Sequence, residues 1–300
     1  MPPPEDDLAL HAESEPAPAI ERLAPIDVPD VLTFLHADPV LNVYPIALVL
    51  RDALGRARDE WWGARRAGRL TALLYCSGHS GAVLPVGDDF EALTLLAEAA
   101  RERRALLPRR FQVIGTRAAL AALLRAFPGD DLAPRLTRDQ QYLSLRPAAL
   151  LAGEPLPELR PARREDYALL YESGARLRLE ELLEDPREID PVIYARRVEE
   201  DCRDQCTWVW RDARGLCFRA SVSALTADAA QISGVYTPPE WRGQGIARRA
   251  LRELSVRLFA RTRAMCLFVN DVNAPARAVY ARLGFVAHAS WASAFFDAGR

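Results

Sequence analysis

The sequence predicts a mixed α/β protein (α+β type) built from two similar halves, each a twisted mixed β-sheet flanked by helices. Two observations favour this class. Short apolar strands alternate with amphipathic helices along the chain, and the same order of elements occurs twice. Because the two copies share few identical residues, the repeat depends on the order of elements.

Each half is predicted to begin with a helix and to continue with a β-hairpin. The opening helices contain Val31, Leu32 and Leu35 in the first half, and Leu169 and Leu170 in the second. Apolar runs flank a turn at Ala67-Gly68 in the first half and a turn at Arg214-Gly215 in the second, which is typical of hairpins.

A strand, a helix, a short strand and a last helix are predicted to complete each half. In the first half we expect them at residues 82–86, 90–107, 111–114 and 117–127. In the second half we expect them at residues 231–237, 246–261, 265–269 and 275–283. Apolar residues recur every four positions from Ile246 to Leu258, which predicts a helix that packs one face on a sheet.

The chain divides into four segments. Residues 1–18 mix Pro, Glu, Ala and Asp without periodicity, which predicts a disordered tail. Residues 149–158 contain Pro, Gly and Ala and are predicted to link a first domain, residues 19–148, to a second domain, residues 159–300.

The composition is typical of a soluble globular protein, with 50% hydrophobic and 27% charged residues. A formal charge of −2 predicts no general attraction to nucleic acid or to anionic membranes. No apolar run approaches the roughly 18 residues of a membrane span, and the first residues lack the features of a signal peptide. We therefore expect a cytoplasmic protein, either a monomer or a homodimer.

The basic and sulfur-containing residues exclude several chemistries. All 39 basic residues are arginine, so a P-loop lysine, a Schiff-base lysine and a Ser-Lys pair are excluded. The five cysteines are scattered, which predicts free buried thiols and no metal site.

The most informative stretch is Val235-Tyr-Thr-Pro-Pro-Glu-Trp-Arg242-Gly-Gln-Gly245-Ile-Ala247. It predicts the end of a strand, a stop, and then a helix that opens with Arg-x-x-Gly-x-Ala. The start of a helix leaves N–H groups unpaired and carries partial positive charge, and glycines let the backbone approach phosphate oxygens. The stretch therefore predicts a cradle for a pyrophosphate. A third glycine, typical of dinucleotide-binding loops, is missing.

The equivalent place in the first half has a different character. There the strand meets Gly87-Asp88-Asp89-Phe90, whose carboxylates complement a helix dipole but repel a phosphate. The first half is therefore predicted not to bind the ligand of the second.

A second motif follows the cradle, Asn273-Ala-Pro-Ala-Arg-Ala-Val-Tyr280-Ala-Arg-Leu-Gly284-Phe285. Together the two motifs resemble those of the GNAT superfamily of acyl-CoA-dependent N-acyltransferases, and the resemblance covers the second half from about Leu159 onward. The whole stretch from Val235 to Gly245 is similar to that of a bacterial branch in which a degenerate GNAT-like half precedes a working one, as in glycine N-acyltransferase-like proteins. The segment Asp38-Pro-Val-Leu-Asn42 is also similar to that branch.

The resemblance implies tandem GNAT-like domains and an N-acetyltransferase that uses acetyl-CoA as cosubstrate and a small amine as acceptor. It implies that Tyr280 is the general acid and that a backbone N–H near Val235 stabilises the oxyanion. The residues implied to bind acetyl-CoA are Val235, Tyr236, Thr237, Arg242, Gly243, Gln244, Gly245, Ile246, Ala247 and Asn273.

Three questions stay open at the level of sequence. The general base is not identified; Asp271 is a candidate, but an exposed turn aspartate or a water-mediated route accounts for the sequence equally well. The first half could shape the acceptor cleft, cover the sheet edge or simply stabilise the second half. A non-catalytic acyl-CoA sensor or scaffold is the alternative to an enzyme.

Overall fold

The computed structural model describes residues 16–51 and 53–299. The predicted tail lies outside the described residues except for residues 16–18, which precede the first strand without helix or strand of their own. Within the described residues, no helix is long and apolar enough to cross a membrane.

The two halves share one order of elements, except that the second half has an additional short helix before its hairpin. The first half consists of β1 (Ala19–Arg22), α1 (Val28–Leu35), α2 (Val43–Leu50), β2 (Asp59–Arg66), β3 (Arg69–Ser77), β4 (Ala82–Gly87), α3 (Phe90–Glu102), β5 (Arg110–Thr116), α4 (Arg117–Leu123) and β6 (Leu136–Leu145). The second half consists of β7 (Arg160–Pro161), α5 (Tyr167–Leu182), α6 (Pro186–Ile189), α7 (Pro191–Arg203), β8 (Thr207–Asp212), β9 (Gly215–Leu225), β10 (Ala230–Tyr236), α8 (Ile246–Phe259), β11 (Met265–Asn270), α9 (Ala274–Ala281) and β12 (Val286–Asp297).

The strands of both halves join in one continuous sheet, in the order β1-β2-β3-β4-β5-β12-β6-β11-β10-β9-β8-β7. The last strand of each half is exchanged. β12 pairs antiparallel with β5 of the first half, and β6 pairs antiparallel with β11 of the second half. The two exchanged strands also pair with each other at the centre of the sheet. Each half therefore completes the sheet of the other.

Helices cover both faces of the sheet, and strand periodicity decides which residues meet which helices. Along β11, Met265, Leu267 and Val269 pack in the apolar cluster that contains α8. Their neighbours Cys266 and Phe268 belong with the cluster that contains residues of α2. α1 packs in the apolar cluster that contains Ile46 and Val49 of α2, and α5 packs with α7 in a separate cluster of the second half.

The cysteines agree in part with the prediction of free buried thiols. All five cysteines are free, but Cys206 is half-exposed while the other four are buried. In the part of the chain that the structure describes, no group of three His, Cys, Asp or Glu side chains is placed to hold a metal ion.

Candidate active site

β10 and β11 run parallel and separate soon after they begin. Ala230 pairs with Met265 and Gln231 with Cys266, and no later pair joins the two strands within the described residues. On its other side β10 shifts register against β9 twice, the second time between Ser233 and Tyr236. The separation leaves an opening between residues 233–237 and residues 267–270, which we call the wedge.

Several buried polar atoms at the end of the wedge have no partner in the described part of the chain. They are the Tyr236 hydroxyl, Thr237 Oγ1, Asn270 Oδ1 and Asp271 Oδ1. An unpaired buried polar group costs about 1–3 kcal/mol. A ligand that brings polar groups into the wedge can satisfy these atoms.

The start of α8 lies directly after β10 and has the geometry of an anion cradle. Gly243 and Gly245 both have φ +74°, and a Cβ on either would meet no heavy atom within 4 Å. The first backbone hydrogen bond of α8 runs from the Arg249 N–H to the Gly245 carbonyl (3.1 Å). The N–H groups of residues 246–248 thus have no backbone acceptor among the described residues, as the start of a helix requires.

The polar side chains of the cradle are held by neighbouring groups. Arg242 Nη2 donates to both carboxylate oxygens of Glu180 (2.9 and 2.8 Å), and Arg242 Nε donates to the Thr237 carbonyl (2.9 Å). Gln244 donates to the Glu240 carbonyl (2.8 Å). The backbone N–H groups after Arg242 are open to an anion, and Arg242 Nη1 has no hydrogen-bond partner among the described residues.

The remaining predicted residues of the cradle take different positions. Ile246 is buried, and Ala247 packs partly buried against the same apolar cluster. The Arg242 N–H donates to the Pro239 carbonyl (3.2 Å) and is therefore already used. The open N–H groups begin after Arg242.

Tyr280 lies at the end of α9, packed edge-to-face against Phe285 with 5.7 Å between ring centroids. Its side chain is 6% exposed and belongs to the apolar cluster beneath α8. Burial raises the pKa of the phenol, and the carboxylate of Glu181 raises it further. Tyr280 therefore keeps its proton at neutral pH, as a general acid must.

Asn273 and Asp271 are both engaged by neighbouring groups. Asn273 Oδ1 caps α9 by accepting from the Ala276 N–H (3.1 Å). Asp271 Oδ2 accepts from Arg117 of the first half (3.2 Å). The structure therefore brings Asp271 to the wedge with one carboxylate oxygen already paired.

Glu181 is a titratable residue of this region that the sequence did not reveal. It lies near the end of α5 and is exposed. Desolvation by the surrounding protein raises its pKa to about 7, with a further contribution from Glu180, while Arg138 acts in the opposite direction. The Glu181 charge contributes to the raised pKa of Tyr280. No sequence motif marks this glutamate, since its pKa depends on neighbours from other elements.

Residues 176–285 match the model of the "Acetyltransferase (GNAT) family". The matched segment contains the wedge, α8 and α9. No curated protein sequence matches the chain.

Solved structures with the same fold cover nearly the whole chain. A GCN5-related N-acetyltransferase from Sphaerobacter thermophilus is 18% identical with a TM-score of 0.58, covering 94% of this chain and 96% of that one. A tandem GNAT protein from the clavulanic acid biosynthesis pathway is 18% identical with a TM-score of 0.56, covering 94% and 99%. A GNAT acetyltransferase from Colwellia psychrerythraea is 11% identical with a TM-score of 0.54, covering 93% and 99%. At these identities the likeness shows the fold.

Proposed function

We propose that the protein is an N-acetyltransferase that moves an acetyl group from acetyl-CoA to the primary amine of a small molecule or amino acid. The observation that carries the proposal is the wedge between β10 and β11 opening beside the start of α8, with a protonated Tyr280 in the apolar cluster that also includes Val235 and Val269 of the two strands. The family match of residues 176–285 supports it.

The residues of the wedge fit acetyl-CoA, which supplies an acetyl group activated as a thioester. The open N–H groups after Arg242 suit a pyrophosphate. The unpaired edge of β10 from Val235 to Thr237 suits the amides of a pantetheine arm, as an added strand would. Asn273, beside the wedge, is positioned to contact the same arm through its amide nitrogen, because its Oδ1 caps α9.

The chemistry needs three roles, and the site offers a group for each. The amine nitrogen bonds to the acetyl carbon and the carbon–sulfur bond breaks. The Val235 N–H stabilises the negative charge that develops on the acetyl oxygen, Tyr280 gives its proton to the leaving sulfur, and Glu181 accepts the proton that the amine loses. A carboxylate with a pKa of about 7 is well matched to a base at neutral pH.

The first half, on this proposal, is a degenerate copy that has lost the cradle. Asp89 caps α3 by accepting from the Ala92 N–H (3.1 Å) and forms an ion pair with Arg66 (2.7 Å). The start of α3 is therefore filled by carboxylate oxygens where α8 offers open N–H groups. A phosphate at α3 would meet negative charge.

Replacing Tyr280 by Phe tests the proposal. We expect kcat to fall by about 10²-fold, since general acid catalysis contributes roughly 10²–10⁴-fold, with the Kd for acetyl-CoA unchanged. CoA release with pooled amines measures kcat, and calorimetry measures Kd. An unchanged kcat would remove Tyr280 from the mechanism. Tight acetyl-CoA binding by the wild type without CoA release for any amine would favour a non-catalytic sensor.

A further inference from the structure

A cavity of about 490 Å³ lies on the α2 side of the sheet, where the two halves meet. In the first half, β4 and β5 pair at Ala82–Gln112 and Val83–Val113 and then separate, as β10 and β11 do in the second half. The cavity occupies this opening and is closed by the segment from Phe34 to Pro45, which contains the connection between α1 and α2. Most of its wall therefore comes from the first half.

The cavity reaches the strands that border the wedge. Gln231 and Ser233 of β10 and Phe268 of β11 all line it. Ser233 lies two residues before Val235, which corresponds to about 7 Å along a strand. A molecule in the cavity can therefore present one end to the place where we propose the acetyl carbon lies.

The charge of the cavity favours a cation over an anion. None of the chain's 39 basic residues, all arginine, is among the described residues that line it. Two carboxylate side chains line the cavity, those of Asp38 and Asp88. Asp38 Oδ2 is hydrogen-bonded to His288 Nε2 (2.8 Å). Asp88, in contrast, is exposed and has no hydrogen-bond partner among the described residues. Asp88 is thus the free negative charge at the rim.

The interior combines apolar walls with a small number of polar groups. Leu84, Ile114, Phe268 and Trp291 are among the apolar side chains that line it. The buried Gln231 donates from Nε2 to Ser223 (3.0 Å), which leaves its Oε1 as an acceptor with no donor among the described residues. The volume of the cavity lies within the range of roughly 300–1,000 Å³ that is typical of small-molecule sites.

We propose that this cavity is the acceptor pocket and that the acceptor is a primary amine with an apolar, ring-sized body and no carboxylate or phosphate. The inference rests on the proposed acetyl transfer and narrows its acceptor. Asp88 attracts the ammonium form of the amine from solution, and the apolar walls hold its body. An amino acid would bring a carboxylate into a cavity that has no cation to pair with it, at a high desolvation cost. The first half thereby supplies the specificity of the reaction.

Phenethylamine and phenylalanine, which differ by one carboxylate, are the probes. We expect kcat/KM for phenethylamine to exceed that for phenylalanine by at least about tenfold. Asp88→Arg should raise the KM for phenethylamine by about tenfold or more, with kcat within about twofold. The matched control is Asp130→Arg, another exposed aspartate without a partner in the described chain that does not line the cavity.

Filling the cavity gives a second variant that does not depend on charge. Ala118 is exposed near the start of α4 and lines the cavity, whereas Ala121, exposed on the same helix, does not. We expect Ala118→Trp to lower kcat/KM for phenethylamine by at least about tenfold, and Ala121→Trp to leave it within about twofold. Acetyl-CoA affinity should stay unchanged in all four variants.

Binding measured apart from turnover separates the two proposals. Phenethylamine is titrated into protein saturated with CoA, so no acetyl group is present to transfer. Binding that is weakened by Asp88→Arg and Ala118→Trp, without CoA release from acetyl-CoA, would support the pocket and overturn the acetyl transfer. The opposite result would be CoA release from acetyl-CoA in the presence of amines that neither variant slows relative to its control, or that is equally fast with phenylalanine. Either result would overturn the proposed acceptor pocket and leave the proposed acetyl transfer intact.

Discussion

Glu181 of α5 and Tyr280 of α9 are proposed to act in opposite protonation states. The burial of Tyr280 and the Glu181 charge both keep the phenol protonated, while desolvation holds the pKa of Glu181 at about 7. A base must be ionised to accept a proton, so activity should be lost as the pH falls below this value. On the proposed mechanism, the ionisation of Glu181 limits the rate at low pH.

The pH profile of kcat/KM should rise to a plateau through a pKa of about 7. In Glu181→Gln this rise should disappear and the plateau should fall by about 10²-fold, because a neutral amide accepts no proton. Glu172→Gln, on the exposed surface of the same helix, is the control and should keep the wild-type profile. If Asp271→Asn removes the rise and Glu181→Gln does not, the base is Asp271.

Asp89 makes a pH-dependent contribution to stability in the first half. Its bonds to Arg66, together with the Ala92 N–H, lower its pKa from 3.8 to about 2 although desolvation opposes this. A lowered pKa in the folded state means that the contribution is present above 3.8 and is lost as the pH falls towards about 2.

Asp89→Ala should therefore lower the free energy of unfolding by about 1–2 kcal/mol at neutral pH, from the lost cap and ion pair. The difference in the free energy of unfolding between the variant and the wild type should shrink as the pH falls from 3.8 towards about 2. Urea denaturation at a series of pH values measures it. Asp88→Ala is the neighbouring control, and an equal loss of stability there would contradict the assignment.

The start of α8 makes its own prediction, because its glycines are needed for conformation and space and not for packing. Gly245→Ala should weaken acetyl-CoA binding by about tenfold or more, since the new methyl group occupies the cradle. The backbone strain at φ +74° should cost about 1 kcal/mol of stability. Gly68, with φ +80° and equally open surroundings in a hairpin turn, is the matched control. Gly68→Ala should show the same strain with unchanged acetyl-CoA affinity.

Elements with strong periodicity were predicted from the sequence, and the exchanged strands were not. The hairpins, β10, α8 and β11 lie where the sequence places them, although the helices predicted at 90–107 and 117–127 end earlier, at Glu102 and Leu123. β6 and β12 went unpredicted. The inward positions of β12 include Ala292 and Ala294, small residues with weak strand preference that carry little signal.

The candidate site divides in the same way between local and tertiary signals. The cradle and Tyr280 belong to motifs that are contiguous in sequence. The role proposed for Glu181 and the cavity lined by both halves depend on contacts between distant segments. Sequence spacing alone cannot supply such contacts.

At the scale of the whole molecule, the exchange of β6 and β12 makes the halves depend on each other. Without the first half, β11 and β12 would each lose the neighbour that lies between them. Unpaired strand edges inside a sheet favour aggregation. We therefore expect residues 19–148 and 159–300, produced separately, to aggregate or lack cooperative unfolding.

Producing the two segments together should restore a soluble complex that unfolds in one transition. Circular dichroism and sedimentation measure folding and association. The full chain with a protease site placed in residues 149–158 and cleaved after folding is the control, and its halves should stay associated. Independent cooperative folding of either segment would show that the exchanged strand is dispensable.

The position of β12 also bears on how the chain folds as it leaves the ribosome. Thr116 of β5 pairs with Trp291 of β12. β5 therefore stays unpaired on this side until the whole second half has been translated. Pairing over such a separation makes the closing step slow, since long loops must be ordered before contacts form. The nascent first half carries an open edge at β5 during that time, when a holdase chaperone has a site to bind. A chain that terminates before β12 leaves this edge unpaired, so we expect premature products to aggregate through their incomplete sheet.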